Sequence, residues 1–382
     1  MNKKLLAVAV AGVLAAPAAA LAQSSVTISG VLKASVQQYK LGNASAARVG
    51  LNSSQSLLHD DSSAIRFNIV EDLGGGLQAI GQIDWRVTFD VGADAIGGNN
   101  HVGLRHKSWG RIFFGRQDLH YFGRESDLTV KNDLQSDSIS LLAYAGGGNS
   151  PVAAATRTHN VVHYTTPNWG GFSAIVAYSF NPNAMEADIN SPARKGRAWN
   201  LAPTFEARNF TLGYSYWSAK SDGGATGLTA AGAAAGNNSD QRGDRLFGSY
   251  RWGGFKVGVA WDKSKLKTPA ATLSSRTAWS IPLHYTWGPH WIGGHFTKAR
   301  DDKSRLVAGV NPKDGARMWA LGYSYSLSKR TSLGVTYASI RNDEGAFYTP
   351  FTANSGLSGA GPHGALAGED PRFWSMTVRH TF

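Results

Sequence analysis

Apolar and polar side chains alternate along most of this chain, in segments of about ten residues separated by turn-forming residues. In the last segment, Trp374, Met376 and Val378 share one face of an extended chain, and the residues between them are polar. Comparable runs begin at Val26, Ile65, Leu77, Phe172, Phe210, Phe255, Trp279 and Trp319. Alternation with a period of two predicts β-strands that have one apolar face and one polar face.

The connections between these strands are alternately short and long. The short ones are rich in Gly, Pro and Asn, as tight turns require, and lie at 72–76, 107–110, 167–171, 207–209, 253–254, 288–290 and 328–330. The long ones lie near 40–61, 90–98, 117–157, 182–196, 221–243, 266–275, 301–314 and 343–369. Seven turns and eight loops separate sixteen strands. The pattern predicts an all-β fold: a 16-stranded antiparallel transmembrane β-barrel with long external loops and short periplasmic turns.

Composition agrees with a closed barrel. The chain has no cysteine, which excludes disulfides and thiolate metal sites. Beyond the amino end, no stretch approaches the ~20 apolar residues that a membrane-spanning helix needs. A chain that crosses lipid without such helices must close its sheet, because every backbone group has to be hydrogen-bonded internally. A barrel of about sixteen strands encloses an aqueous channel rather than a packed core.

The amino end has the pattern of a secretory signal peptide. Lys3 and Lys4 precede an apolar stretch over 5–20, and Ala20-Leu21-Ala22 is a small-x-small cleavage site. We therefore expect a cleaved signal peptide over 1–22 and a single barrel domain over 23–382. Removal of 1–22 lowers the formal net charge from +12 to +10, because that segment contains two lysines and no acid.

The basic residues do not indicate a nucleic-acid partner. They are scattered along the chain, and no nucleic-acid recognition motif is present. Outer-membrane lipid, and lipopolysaccharide in particular, is a better anionic partner for Lys and Arg on long loops.

Enzymatic barrels are the rival class. His159 and His163 share a strand face, but at ~3.3 Å per residue they lie ~13 Å apart, too far to hold one metal ion. Asp60 and Asp61, beside His59, suggest acid–base chemistry or a cation site, although a solvated external loop explains them more simply. We expect no enzymatic activity, no cofactor and no metal.

Several motifs together resemble the trimeric general porins of Gram-negative bacteria, most closely their betaproteobacterial branch. These motifs are Ser24-Ser-Val-Thr-Ile-Ser-Gly30, Glu71-Asp-Leu-Gly-Gly-Gly-Leu-Gln-Ala79, Gly115-Arg-Gln117, Pro167-Asn-Trp-Gly-Gly-Phe172 and Arg379-His-Thr-Phe382. The resemblance implies a homotrimer with contacts near the first strands, an outer-membrane location and a terminal aromatic, Phe382, as assembly signal. It also implies that the loop after the fifth strand, about 117–157, folds into the lumen as a constriction loop.

In that family, acids of the constriction loop face basic residues of the barrel wall. The corresponding acids here are Asp118, Glu125, Asp127, Asp133 and Asp137. The basic candidates whose parity faces the lumen are Lys33, Arg66, Arg86 and Arg105. Arg116 is basic in the family motif too, but its parity points outward, so a bulge or the strand end has to turn it inward. Two departures stand out: the Pro-Glu-Phe loop tip of many relatives is missing, and His163 occupies a position that is often basic.

A passive diffusion channel for small hydrophilic solutes is the function that these features favour. Rings of Arg and Lys favour anions, so inorganic or organic anions are the preferred solutes. Two alternatives stay open: a substrate-specific channel for organic acids, phosphate or sugars, and a receptor or adhesin barrel that acts through its loops. Trp217, Phe247 and Trp291 have lumen parity, which an aromatic track for sugars requires.

Overall fold

In the computed structural model, one antiparallel sheet forms nearly all of the regular structure. The structure describes residues 24–44, 46, 54–60, 63–120, 141–142, 155, 157–182, 196–221, 239–269, 271–306, 313–349 and 365–382. The expected signal peptide over 1–22 lies outside the described residues.

Within the described residues, the sheet contains eighteen strands. Their bounds are β1 Ser25–Gly42, β2 Ser54–His59, β3 Ala64–Gly74, β4 Leu77–Thr88, β5 Ala93–Ala95, β6 Asn100–His106, β7 Gly110–Gln117, β8 Thr158–Thr165, β9 Phe172–Ser179, β10 Gly196–Glu206, β11 Phe210–Ser221, β12 Ser239–Trp252, β13 Phe255–Lys267, β14 Thr272–Trp287, β15 His290–Ala299, β16 Ala316–Ser326, β17 Thr331–Asn342 and β18 Asp370–Thr381. One helical turn, α1 (Lys303–Leu306), precedes β16. None of the described helical residues belongs to a helix with the length and hydropathy needed to cross a membrane.

Two of the barrel strands are interrupted, which reconciles eighteen strands with sixteen. β2 and β3 both pair with β1, above and below a break at 60–63. β5 and β6 both pair with β4, on either side of a break at 96–99. Each pair is one wall strand in two pieces, so the wall has sixteen strands. β1 also pairs with β18, which closes the sheet. The predicted 16-stranded barrel is confirmed.

The alternation of the sequence separates the two faces of the wall. On β18, Trp374 and Met376 are 43% and 56% exposed in the single chain, whereas Ser375 and Thr377 are 0% and 3% exposed. The exposed apolar positions form the outward surface, and the covered positions face the interior. Several interior positions on β13 to β17 are alanine, which leaves room for chain inside the barrel; they are Ala260, Ala278, Ala299, Ala316, Ala320 and Ala338.

The connections follow the predicted alternation with two exceptions. The segment expected as a loop at 90–98 contains β5 (Ala93–Ala95), which pairs with β4. The loop expected at 266–275 is a tight hairpin instead, because β13 extends to Lys267 and β14 begins at Thr272. The Thr268 amide donates to the Ala271 carbonyl (2.8 Å) and closes it. The polar residues at the external ends of these strands were predicted as a loop, but they continue the hydrogen-bonded strand pairing beyond the apolar band of the barrel.

The carboxy-terminal aromatic closes the seam between the first and last strands. The Gly30 amide donates to the Phe382 carbonyl (3.0 Å). The Phe382 ring lies so close to Gly30 that a Cβ there would come within 2.5 Å of the ring. Glycine at this position therefore lets the terminal ring pack against the first strand.

Candidate functional site

The inner wall of β3 and β4 carries a charged triad. Register places Arg66 opposite Asp84, with Arg86 two residues further along β4. Asp84 Oδ2 accepts hydrogen bonds from Arg66 Nε (3.3 Å) and Arg86 Nη2 (2.9 Å). The Asp84 side chain is 2% exposed and that of Arg66 is 35% exposed. The triad therefore presents a net positive charge to the lumen, since one carboxylate serves two guanidinium groups.

The break between β5 and β6 makes room for this triad. Gly98 lies in the break, and a Cβ there would come within 2.1 Å of the Asp84 side chain. The Gly98 amide donates to the Asp84 carbonyl (3.1 Å), and the Asn100 side chain accepts from the Asp84 amide (2.7 Å). The interrupted strand thus fixes the Asp84 backbone and admits its side chain.

Arg116 lies at an irregularity between β7 and β8. Gly115 pairs with Val161 and Gln117 with Thr158, so β8 takes three steps where β7 takes two. Such a bulge rotates the side chains beside it, as the sequence required for Arg116. Arg116 Nε donates to the Arg157 carbonyl (2.9 Å). The charges of Arg86, Arg157 and Asp118 act on the Arg116 guanidinium, which places it with the β4 arginine.

Of the five loop acids, only Asp118 is among the described residues; Glu125, Asp127, Asp133 and Asp137 lie outside them. Asp118 does not face the arginines from across the lumen. Its Oδ1 accepts from the Arg157 amide (2.7 Å), and its Oδ2 accepts from Asn99 Nδ2 (3.0 Å). Asp118 is therefore part of the same wall, where it joins the two ends of the segment 118–157.

The structure does not bring Arg105 together with the other basic candidates. Arg105 is in register with Gln78 and Arg111, next to the short turn at 107–109. Gln78 is six residues from Asp84 along β4, or ~20 Å in a strand. Arg105 therefore lies near the periplasmic mouth, where its Nε donates to Gln78 Oε1 (2.6 Å).

Lys33 lies on β1 beside the break at 60–63. Its amide donates to Ser63 Oγ (2.9 Å), and its charge acts on Asp60. Lys33 therefore lies at the strand break that borders the arginine group.

Between Arg105 and the arginine group, the inner wall carries a stack of aromatic side-chain rings. Phe113 lies between His101 and His163, with centroid distances of 4.2 Å and 4.3 Å. The Arg111 guanidinium carbon lies 5.6 Å from the centroid of the Phe113 ring. His163 is 2% exposed, so its ring is engaged in packing and does not reach the lumen as a long basic side chain would.

On the opposite side of the lumen, Arg245 anchors the start of the inward segment. Its Nε donates to Asp262 Oδ2 (2.8 Å) and its Nη1 to the His120 carbonyl (3.3 Å). His120 Nδ1 lies 2.9 Å from Ser215 Oγ. Burial, and then the nearby charge of Arg245, lower the pKa of His120 well below its usual value. The imidazole is therefore a neutral hydrogen-bonding group at this anchor.

Arg276 on β14 anchors a second point of the same segment. Its Nη2 donates to the carbonyls of Leu141 and Leu142, both at 3.0 Å, and its Nη1 contacts the Tyr348 hydroxyl. Leu141 and Leu142 are fully covered and pack against inward-facing residues such as Met318. The described residues of 117–157 therefore lie inside the barrel: Leu119 and His120 lie against the inner faces of β8 to β12, and Leu141 and Leu142 lie at β14.

The rival sites take different roles in the structure. The sequence suggested that Asp60 is a solvated loop residue, but the structure shows otherwise. Asp60 is 0% exposed, and its Oδ2 accepts a hydrogen bond from the Ser63 amide (3.1 Å). It fills the break between β2 and β3, with ligand atoms of His59 and Asp90 within 4.8 Å. Trp217, Phe247 and Trp291 do face inward, but they are 0%, 2% and 7% exposed. They pack against other residues and form no open aromatic track.

Comparison with known proteins decides the family. The model of the Gram-negative porin family matches residues 7–345. The chain belongs to this family. The porin is 26% identical to outer membrane porin protein 32 of Delftia acidovorans over the full length of both chains. It is 25% identical to major outer membrane protein P.IB of Neisseria lactamica, over 93% of this chain and 98% of that protein.

Solved structures agree on the fold. The porin matches an anion-selective porin from Comamonas acidovorans with a TM-score of 0.75 and 22% identity, covering 94% of this chain and all of the other. OmpT of Vibrio cholerae in its trimer form gives a TM-score of 0.65 and 14% identity, over 94% and 99% of the two chains. The porin is therefore a barrel channel of the Gram-negative outer membrane, as the sequence predicted.

Sequence reasoning missed several charged residues that shape the interior of the porin, among them Asp84, Arg157, Arg245, Asp262 and Arg276. Asp84, Arg245 and Arg276 have the same inward parity as the residues that were found, so strand parity gave a usable signal. The position of Arg157 depends on the closure of a long segment, which no local pattern contains.

Proposed function

We propose that this porin is a passive diffusion channel that prefers anions, without catalysis. The observation that carries the proposal is the group of arginines on one inner wall. Arg66, Arg86, Arg116 and Arg157 lie within electrostatic reach of one another, with Asp84 and Asp118 as their acidic neighbours. A basic constriction lowers the barrier for anions and raises it for cations. The similar structure from Comamonas acidovorans is that of an anion-selective porin, which supports the same preference.

The inward segment is proposed as the constriction loop over about 117–157. Its described residues lie inside the barrel, at the arginine wall and at the anchors Arg245 and Arg276. A chain in that position narrows the aqueous path and forces ions past the arginines. Solutes would be small and hydrophilic, because the barrel interior is mainly polar.

The zero-current potential in a planar bilayer under a KCl gradient tests the anion preference. Arg66→Ala, Arg86→Ala and the double variant should shift the potential stepwise from the chloride side toward the potassium side. Arg330→Ala is the matched control, because Arg330 is exposed in a periplasmic turn and carries the same charge. A wild-type potential of the potassium sign, or equal shifts in the control, would contradict the proposal.

Two partners follow from the outer-membrane location. We propose a homotrimer in which outward residues of the first strand contact a second copy. Val26 and Ile28 on β1 are 64% and 58% exposed in the single chain. Ile28→Arg should then convert the trimer to monomers on a non-denaturing gel, whereas Val257→Arg, on the far side of the barrel, should leave the trimer intact.

The second proposed partner is the outer-leaflet lipopolysaccharide. We also propose that 1–22 is a cleaved signal peptide and that Phe382 serves as an assembly signal.

A further inference from the structure

The outward face of β13 changes character abruptly at its external end. Trp261 is the last aromatic residue on that face, and it is 43% exposed. Lys263, Lys265 and Lys267 then follow at every second position, on the same outward parity. Aromatic rings mark the level of the membrane interface. The three lysines therefore lie at and above that interface, over a length of ~13 Å.

Neighbouring strands extend this basic surface. Lys220 on β11 and Arg242 on β12 point the same way, and together with the β13 lysines they border a groove of about 330 Å³. Asp240 and Asp244 also border it. Five basic and two acidic side chains leave a net charge of +3 around the groove.

The acids are already occupied by the two basic residues nearest to them. Lys220 Nζ lies 3.2 Å from Asp240 Oδ2, and Arg242 Nε lies 3.0 Å from Asp244 Oδ2. Tyr214 also donates to Asp244 Oδ1 (2.6 Å). Among the residues that the structure describes, Lys265 and Lys267 form no ion pair with an acid.

Strand register sets one pair of like charges opposite each other at the groove, whereas Asp244 lies opposite Lys263 and Asp240 opposite Lys267. Arg242 is directly opposite Lys265. Further round the barrel, Lys298, Arg317 and Arg341 form a row of three in register, above Trp319. Like charges directly opposite each other destabilise a sheet. A bound polyanion removes that repulsion, so the arrangement fits a surface that is normally covered by anions.

The other end of the same strands is different. Around the periplasmic turns, the outward face of β12 to β14 carries Trp252, Phe255, Tyr285 and Trp287. The basic surface is thus confined to the external side. It also faces away from the lumen, so it cannot act on permeating ions at close range.

We propose, resting on the outer-leaflet partner named for this porin, that the groove on β11 to β13 binds the phosphates of a phosphorylated glycolipid of the outer leaflet. Lys263, Lys265 and Lys267 hold the phosphate groups, and Arg242 adds a planar donor held over the Tyr216 ring at 5.2 Å. Guanidinium and ammonium groups both bind phosphate through charge-assisted hydrogen bonds. The acyl chains lie below, along exposed Leu246 and Val259. β11 to β13 lie across the barrel from β1, so the surface stays free in the proposed trimer.

The test measures binding of diphosphorylated lipid A to the detergent-solubilised porin by native mass spectrometry. The triple variant Lys263→Gln, Lys265→Gln, Lys267→Gln should weaken binding at least tenfold. The control variant Arg208→Gln, Lys329→Gln, Arg330→Gln removes the same charge from exposed periplasmic turns and should bind as the wild type does. Asp240→Asn should strengthen binding, a gain that misfolding cannot produce.

Two further arms identify the ligand and separate this site from the channel. Dephosphorylated lipid A should bind equally weakly to wild type and triple variant, and inorganic phosphate at millimolar concentration should compete poorly. Effective competition by phosphate would replace the lipid with a free anion and overturn the proposal, as would unchanged lipid A binding in the triple variant. The zero-current potential of the triple variant should equal that of wild type. Loss of lipid binding with normal selectivity supports the site, whatever the sign of that selectivity.

Discussion

The two sides of the inner wall carry the same residue type in opposite surroundings. On β3, the Arg66 side chain is 35% exposed and shares the carboxylate of Asp84 with Arg86. On β12, eight wall strands away, the Arg245 side chain is 0% exposed and is held by Asp262 and the His120 carbonyl. The first arginine keeps contact with lumen water, so its field can act on a passing ion. The second is covered by the inward segment, and its charge serves to hold that segment.

The difference lies in what surrounds each guanidinium group rather than in strand parity or residue type. A buried charge that loses its partner is costly, whereas an exposed charge exchanges its partner for water at little cost. Mutations on the anchoring wall should therefore change structure, and mutations on the arginine wall should change ion preference. The following experiments test that separation, in order of decreasing expected effect.

Arg245→Ala should give the largest effect, because it leaves the covered Asp262 carboxylate without its partner. Removal of one member of a buried ion pair costs roughly 3–5 kcal/mol. We expect a lower unfolding temperature and a larger, noisier single-channel conductance as the segment detaches. The double variant Arg245→Ala, Asp262→Ala should recover much of the stability, since no charge is left buried alone. Equal destabilisation by the single and double variants would show that the ion pair is not the anchor.

A change of ionic strength should distinguish the role of the arginine wall from that of the anchoring wall. The Debye length falls from about 10 Å at 0.1 M salt to about 3 Å at 1 M. The chloride preference should therefore fall toward that of bulk solution at 1 M. Arg276→Ala releases the carbonyls of Leu141 and Leu142 and should therefore increase the single-channel conductance. That increase relative to wild type should persist at both salt concentrations. A preference that is independent of salt would mean that pore geometry, and not charge, selects the ion.

Asp84→Asn should strengthen the anion preference by a smaller amount. The change removes one negative charge from the triad, while the amide oxygen can still accept from Arg66 or Arg86. We expect the zero-current potential to move further toward the chloride value. Asp72→Asn, in the exposed end of β3, is the matched control. A decrease in preference would show that Asp84 matters more for positioning the arginines than for its charge.

A change of pH should give the smallest effect, through His120. Burial and Arg245 lower the pKa of His120 below its ordinary value of 6.5. The released segment therefore binds more protons than the anchored one once the pH falls below 6.5, and the anchored state loses stability in that direction. Channel noise should rise as the pH falls below 6.5 in wild type, and the rise should be reduced in His120→Asn. A pH response that is identical in both proteins would assign it to another group.

Most of the fold could be predicted from the sequence, because a strand that separates lipid from water must alternate apolar and polar side chains. The period of two located the wall strands, and turn residues located the short connections. The parity of Arg66 and Arg86 followed from the same pattern. Where the outward face becomes mostly polar at the external strand ends, as on β13 and β14 beside the turn at 268–271, the pattern was lost and a hairpin was predicted as a loop.

Tertiary structure alone decided which inward residues meet. Arg66 and Asp84 come together through register, and Arg116 reaches the group through a bulge at Gly115. Arg105 has the same parity as Arg66 but lies ~20 Å lower, a distance that follows from strand pairing. The roles of Arg245 and Arg276 depend on where a segment more than a hundred residues away enters the lumen. Alternation is a local property that each strand carries by itself, whereas contacts across the barrel exist only once the sheet has closed.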